Sequence, residues 1–401
     1  MLSKCFNTFN KILFLGILCW IVWGCKSQKI SSPTNSSPRP PSPVDTTHVE
    51  KIQIPISQEE SRDSVIIKAH RLLPKNIRIK AVGDIMLGTN FPNIRYLPPD
   101  SGKLLLSQVA PMLNNTDIVF GNLEGVLLDS GGIQKKCKNP KACYLFRSPT
   151  YMVSHLVEAG FNLLSVANNH AGDFGDIGRK NTSKVLDQNN IYFAGNSICP
   201  YTHFEKKGIR FGFVAFAPNK GTVNINDIDS AKKIVGQLDL VSDIVIVSMH
   251  AGAEGSNYTH ITRKHEYFYG EDRGDVYHFA REMIDAGADL ILGHGPHVPR
   301  AIDLYKDRLI VYSLGNFATY GRFNLKGSNG LTPILDLTLS QDGTFIEGKI
   351  LPAHQLGRGI PSPDPGKKVI RLIKELSQHD VPESSLSIDE DGHILQINRE
   401  P

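Results

Sequence analysis

Residues 243–250 read DIVIVSMH: a strongly apolar, β-branched run that ends abruptly on a histidine. A run of this length and composition reads as a strand. The same form recurs along the chain. Residues 77–82 (IRIKAV) turn at Gly83-Asp84, and residues 117–120 end at Gly121-Asn122. Residues 163–167 end at Asn168-Asn169-His170, and residues 290–292 end at Gly293-His294. Between these strands lie segments with helical spacing at 103–113, 150–159, 176–188, 225–238 and 274–286, with Gly160 and Gly287 as stops. Strands alternating with helices argue for an α/β fold. Hairpin patterns around Lys207-Gly208 and Lys306-Asp307, and another over 331–351, argue against a purely parallel sheet. A layered sandwich with mixed sheets fits both signals, and no internal repeat interrupts it.

Each polar cluster follows directly on an apolar strand. In open α/β sheets, ligands bind beyond the carboxyl ends of the strands. The clusters are Asp84, then Asn122 with Glu124, then Asn168-Asn169-His170, then His250, then His294 with His297. Imidazole nitrogen and carboxylate or amide oxygen are the donors that zinc, manganese and iron take. One such residue means little; five clusters at the same strand ends point to a metal or polar catalytic site.

The motifs AVGDIMLG, GNLEG, ANNHAGDFG, MHAGAEG, GHGPHVPR and YSLGNF, in this order from about residue 75 to 317, resemble the CapA, or poly-γ-glutamate capsule biosynthesis, family. Domains of that family look like relatives of calcineurin-type metallophosphatases. The resemblance implies a four-layer α/β/β/α sandwich with metal ligands on loops after strands, and one or two divalent ions (Mn, Zn or Fe). Residue by residue, it implies metal ligation by Asp84, Asn122, Glu124, Asn169, His250, His294 and His297. Met86 stands where such phosphatases carry a histidine, and Asn122 where they carry a bridging aspartate that Glu124 could replace. The final pair is His-x-x-His rather than His-x-His. These departures lead us to expect a single-metal site or an altered pair. His170 is expected as the catalytic histidine, oriented by Asp173, with Glu254 as a candidate base. Asn168, Arg300 and Asn316 are the substrate-binding candidates.

The ends read differently. Lys4 and Lys11 precede the apolar run 12–23 (ILFLGILCWIVW), which is short for a membrane span and fits a signal peptide over 1–24. Gly24-Cys25 resembles a bacterial lipobox, implying cleavage before Cys25 and a lipid on its thiol. Residues 25–74 open on a Ser/Pro-rich tether followed by a polar lead-in, the domain itself is expected over 75–360, and 361–401 is expected as a tail with one helix. In an oxidising compartment Cys137 and Cys143 could close the loop CKNPKAC.

The 401 residues carry a formal net charge of only +4, without a basic stripe interleaved with aromatics, which gives nucleic-acid binding no support. The expected protein is an exported lipoprotein at the outer membrane or cell surface. It would act in biosynthesis, export or retention of a capsule or poly-γ-glutamate-type polymer through a metallophosphatase-like site. Its partners would be the anionic polymer or the capsule synthesis machinery, and the membrane through the lipid. Two alternatives stand beside it: a metal-dependent phosphoesterase or other hydrolase of the envelope, and a non-catalytic polymer-binding protein.

Overall fold

The computed structural model describes residues 76–137 and 143–397. The expected signal segment 1–24, the lipidation site Cys25 and the tether 25–74 lie outside the described residues. No helix among the described residues is long and apolar enough to cross a membrane.

The principal strands are β1 (Ile77–Met86), β2 (Ile118–Leu123), β3 (Leu163–Ser165), β4 (Tyr192–Ala194), β5 (Tyr201–Lys206), β6 (Ile209–Ala217), β7 (Ile244–His250) and β8 (Leu290–His294). They continue with β9 (Ile302–Tyr305), β10 (Arg308–Val311), β11 (Asn316–Thr319), β12 (Leu331–Leu339), β13 (Phe345–Leu356), β14 (Ile360–Pro363), β15 (Leu386–Ile388) and β16 (His393–Gln396). The helices are α1 (Val153–Glu158), α2 (Gly175–Gln188), α3 (Ile228–Asp239), α4 (Val276–Asp285) and α5 (Lys368–Asp380). One sheet runs β15-β16-β13-β12-β1-β2-β3-β4, with β11 pairing β1 and β14 pairing β13. The other runs β9-β10-β8-β7-β6-β5, with the short strand Val223–Asn224 beside β6.

The two sheets face each other across one apolar core. Ile79, Phe120 and Leu163 of the first sheet pack there with Phe211, Phe213, Ile246 and Leu292 of the second. Truncating a side chain such as Phe213 would cost about 3–5 kcal/mol. The outer face of the first sheet (Val82, Ile85, Val119) takes Leu156 of α1 and Val185 and Leu186 of α2. The outer face of the second (Val245, Val247, Ile291) takes Val235 of α3 and Phe279 and Met283 of α4. The result is a four-layer α/β/β/α sandwich. Strands buried on both faces explain why β7 reads as an unbroken apolar run rather than an alternating one.

Three expectations need correction. Strand β1 does not stop at Gly83-Asp84 but runs through Met86, because β2 and β11 pair with it on either side, with a bulge between Asp84 and Ile85. Residues 103–113 form turns and then a single helical turn, Ala110–Leu113, rather than a continuous helix. Pro111 has no N–H to offer the preceding turn. Residues 361–397 are not a tail. Strands β14 and β16 both pair with β13, and Val369, Ile370 and Ile373 of α5 enter the inter-sheet core.

Candidate metal centre and its cleft

The sheets place the strand-end residues in rows. In the first sheet Asp84 is the register partner of Asn122 on one side and of Asn316 on the other. In the second, His250 is the register partner of His294. The motif glycines permit this. A Cβ on Gly83 would stand 2.0 Å from the Gly315 carbonyl oxygen, and one on Gly293 would stand 2.1 Å from that of Tyr312. Each glycine directly precedes a candidate ligand, so neighbouring backbone closes in where that ligand leaves the strand.

The rows converge. One ligand atom each from Asp84, Glu124 and His250, all buried, lie within 4.8 Å of one another. His297 Nδ1 is 2.8 Å from Asp84 Oδ2, and His294 Nδ1 is 3.3 Å from Asp84 Oδ1. Asn122 sits in the middle, donating its side-chain amide to Asp84 Oδ1 at 2.8 Å and to Glu124 Oε1 at 3.1 Å. Burial opposes ionisation of Asp84, but the imidazoles of His294 and His297 outweigh it and hold its carboxyl well below the usual carboxylate range. Glu124 is pushed up to about 7 by burial and by the charge of Asp84. Burial drives His250 well below its ordinary value and so favours the neutral imidazole that a metal takes. For His297 burial is outweighed by Asp84, which raises it to about 9.

The donor set fits a divalent cation. Glu124 Oε2, Asn169 Oδ1, His250 Nε2 and His294 Nε2 are buried without a hydrogen-bond partner. Buried polar atoms left in that state are costly unless something else satisfies them. Asp84, Glu124 and His250, whose ligand atoms lie within 4.8 Å of one another, offer oxygen and nitrogen lone pairs that zinc, manganese or iron would satisfy. The Met86 sulfur instead accepts from the Gly88 N–H at 3.2 Å.

The centre lies beside a cleft of about 500 Å³ to which Asn169, His170, Glu254, His297 and Asn316 contribute. His170 Nδ1 is 2.8 Å from Asp173 Oδ2, an oxygen that also accepts from the Phe146 N–H at 2.7 Å. Phe146 lies against the imidazole with ring centroids 4.2 Å apart. Burial opposes protonation of His170, but Asp173 outweighs it and raises the imidazole above its ordinary value. Glu254 gives one oxygen to Arg273 at 2.5 Å, and its other oxygen is 3.9 Å from His297 Nε2. Asn316 is buried, with its amide on the Asn329 carbonyl at 3.1 Å and its own oxygen unpartnered.

Two substrate-binding expectations are overturned. Asn168 is 1% exposed and donates to the Asn122 side-chain oxygen and the Leu123 carbonyl while accepting from the His170 N–H. It holds the loop that carries His170 and has nothing left for a substrate. Arg300 is fully buried and forks onto both oxygens of Glu266 at 2.8 Å, so it cannot meet a polymer. Residues the sequence did not single out take part instead. Arg273 is 1% exposed and lines the cleft, and Asn329 turns an unpartnered oxygen inward. Neither follows a long apolar strand, which was the available signal. Cys137 and Cys143, at the edge of the cleft, are joined by a disulfide.

Comparison with known proteins agrees with the motifs. The family model described as bacterial capsule synthesis protein PGA_cap matches residues 78–320. The capsule biosynthesis protein CapA of Bacillus anthracis is 30% identical over 266 residues, covering 61% of this chain and 60% of that protein. The PGA biosynthesis protein CapA of Bacillus subtilis (strain 168) is 30% identical over 253 residues, covering 59% of this chain and 61% of that protein. The chain thus spans about three-fifths of the length of these curated relatives. Among solved structures, the calcineurin-like phosphoesterase YfkN from Bacillus subtilis matches 78% of this chain and 99% of its own, at 12% identity and a TM-score of 0.38. Because the family model spans more than half of the sequence, the chain belongs to the bacterial capsule synthesis protein PGA_cap family.

Proposed function

We propose that the protein serves capsule or poly-γ-glutamate-type polymer synthesis, export or retention as an exported, lipid-anchored protein, and that its cleft performs metal-assisted hydrolysis. The observation that carries the chemistry is the convergence of Asp84, Glu124 and His250, with unpartnered lone pairs on Glu124, His250, His294 and Asn169 around them. Asp84, Glu124, Asn169, His250 and His294 would hold the ion. A divalent cation there would supply Lewis acidity toward a phosphoryl or acyl oxygen.

The remaining steps belong to side chains of this chain. His170, kept in place by Asp173 and raised toward the imidazolium, donates a proton to the leaving group. Phe146 and Phe323, stacked at 5.1 Å, wall the cleft against bulk water on the side of His170 and His297. The export and lipid assignments rest on the order of basic residues, apolar run and Gly24-Cys25 in the sequence.

The test is metal content of the purified full chain, measured together with hydrolysis of a generic phosphodiester and of poly-γ-glutamate. The reading expects bound metal, metal-dependent hydrolysis, and loss of both in His250→Ala. Metal without hydrolysis would favour a non-catalytic polymer-binding protein. The observation on that side is the neutral amide of Asn122 standing between the two carboxylates.

A further inference from the structure

Beside the candidate centre, three arginines gather around one tyrosine. The Arg322 guanidinium carbon is 4.5 Å from the Tyr96 ring centroid and 4.8 Å from that of Tyr144. Arg95 lies 4.9 Å from the same Tyr96 ring and donates to its hydroxyl at 2.8 Å. Arg358 reaches the Arg95 carbonyl at 3.3 Å. The field is felt by Tyr96, whose phenol is held below its ordinary value, first by the Arg95 hydrogen bond and then by the charges of Arg95, Arg322 and Arg358.

Among the described residues, no carboxylate forms an ion pair with any of these arginines, and Arg322 has no hydrogen-bond acceptor. The other charges of the cleft are committed. Glu254 and Glu271 both go to Arg273, at 2.5 and 3.2 Å, and Lys135 donates to the Asn169 carbonyl at 2.8 Å. Arg322 lines the same cleft as His170 and His297. The next residue, Phe323, stacks on Phe146 and meets His297 nearly at right angles, with ring centroids 5.2 Å apart. The open guanidinium is therefore tied by one peptide unit to the wall of the candidate centre.

Like charges brought together repel, and aromatic faces offset this only in part. An anion between them reverses the sign. The planar fork of arginine matches the oxygens of a carboxylate or phosphate. We infer that Arg322, supported by Arg95 and Arg358, forms an anion subsite for an extended polyanion, holding one carboxylate or phosphate group while the adjoining unit lies at the centre. The inference rests on the proposed function only for the chemistry beside the subsite, not for binding.

Calorimetric titration of the full chain at low salt tests it, with three probes: a short γ-linked glutamate oligomer, the same γ-linked oligomer with its α-carboxylates converted to neutral carboxamides, and a glycerol-phosphate oligomer. One of the anionic probes binds and names the source of the anion; the neutral oligomer binds at least about tenfold more weakly. Arg322→Gln and the pair Arg322→Gln/Arg358→Gln weaken that binding by about tenfold or more, Arg322→Lys by less, and metal content is unchanged in all of them. His250→Ala, which tests the metal reading, still binds the anionic oligomer more tightly than the neutral one. Equal binding of neutral and anionic oligomers, wild-type affinity in the double variant, or binding of neither anionic probe overturns the subsite. So does a preference for anionic over neutral oligomer that is kept in Arg322→Gln.

Discussion

The side-chain amide of Asn122 lies 2.8 Å from Asp84 Oδ1, between that carboxylate and Glu124. It lets two buried acids share a small volume by giving each a donor. Asn122→Asp would exchange that donor for a third negative group. The metal-free variant is expected to lose about 1–3 kcal/mol of stability. Manganese or zinc should return that loss, with the metal bound about tenfold or more tighter than in wild type. Thermal unfolding with chelator and with added metal reads both effects. A variant that is no less stable without metal would show that the amide does not hold the carboxylates together.

Asp173→Asn isolates the positioning of His170. Burial alone lowers the imidazole, and Asp173 reverses it. In the variant the imidazole titration, followed by NMR, should move down. The raised wild-type value stabilises the fold below the ordinary histidine value of 6.5, and that contribution is lost as pH rises through the folded-state value. The variant should flatten this dependence. Any hydrolytic rate should fall by about 10–100-fold, as for other groups that orient an active imidazole. An unchanged histidine titration would remove Asp173 from that role.

Asp289 gives a pH signature away from the cleft. Burial pushes it up to about 7, against its hydrogen bond from the Val245 N–H and its ion pair with Arg308. A folded-state value above the unfolded one means the native state holds the proton more tightly. The stabilisation is therefore complete below about pH 4 and is lost as pH rises toward 7. The slope from this group cannot exceed about 1.4 kcal/mol per pH unit. Urea unfolding across that window should show a shallower fall for Asp289→Asn than for wild type.

Arg300 is expected to matter for stability rather than for substrate. Arg300→Ala leaves Glu266 buried without its partner and should cost about 3–5 kcal/mol in urea unfolding. Arg300→Met combined with Glu266→Leu should recover most of that loss, because no charge then remains buried. A single variant as stable as wild type would contradict the geometry.

Much of the site was legible because parallel strands buried on both faces leave a strong local mark: an apolar run that stops on glycine and a polar residue. Asp84, Asn122 and His294 all carry it, His250 carries the apolar run without the glycine, and the structure sets the four in two facing rows. Lone polar residues carried less information. Arg300 follows a histidine motif, yet its charge turns inward to Glu266. Asn168 stands beside Asn169 in sequence, but its amide is spent on Asn122 and Leu123. Burial and partner choice come from residues distant in the chain, and no local pattern encodes them.

The sequence by itself determined the class of fold, the strand ends that converge on the candidate site and the family, since all three are written in short contiguous runs. Only the tertiary structure decided that residues 361–397 complete the first sheet, because the edge of β13 that receives β14 and β16 exists only after β12 and β13 have paired. It also decided that Arg273 closes onto Glu254 while Arg322 stays open. Ion pairing acts through space within a few ångströms, and loops far apart in the chain fix those distances when the two sheets pack together.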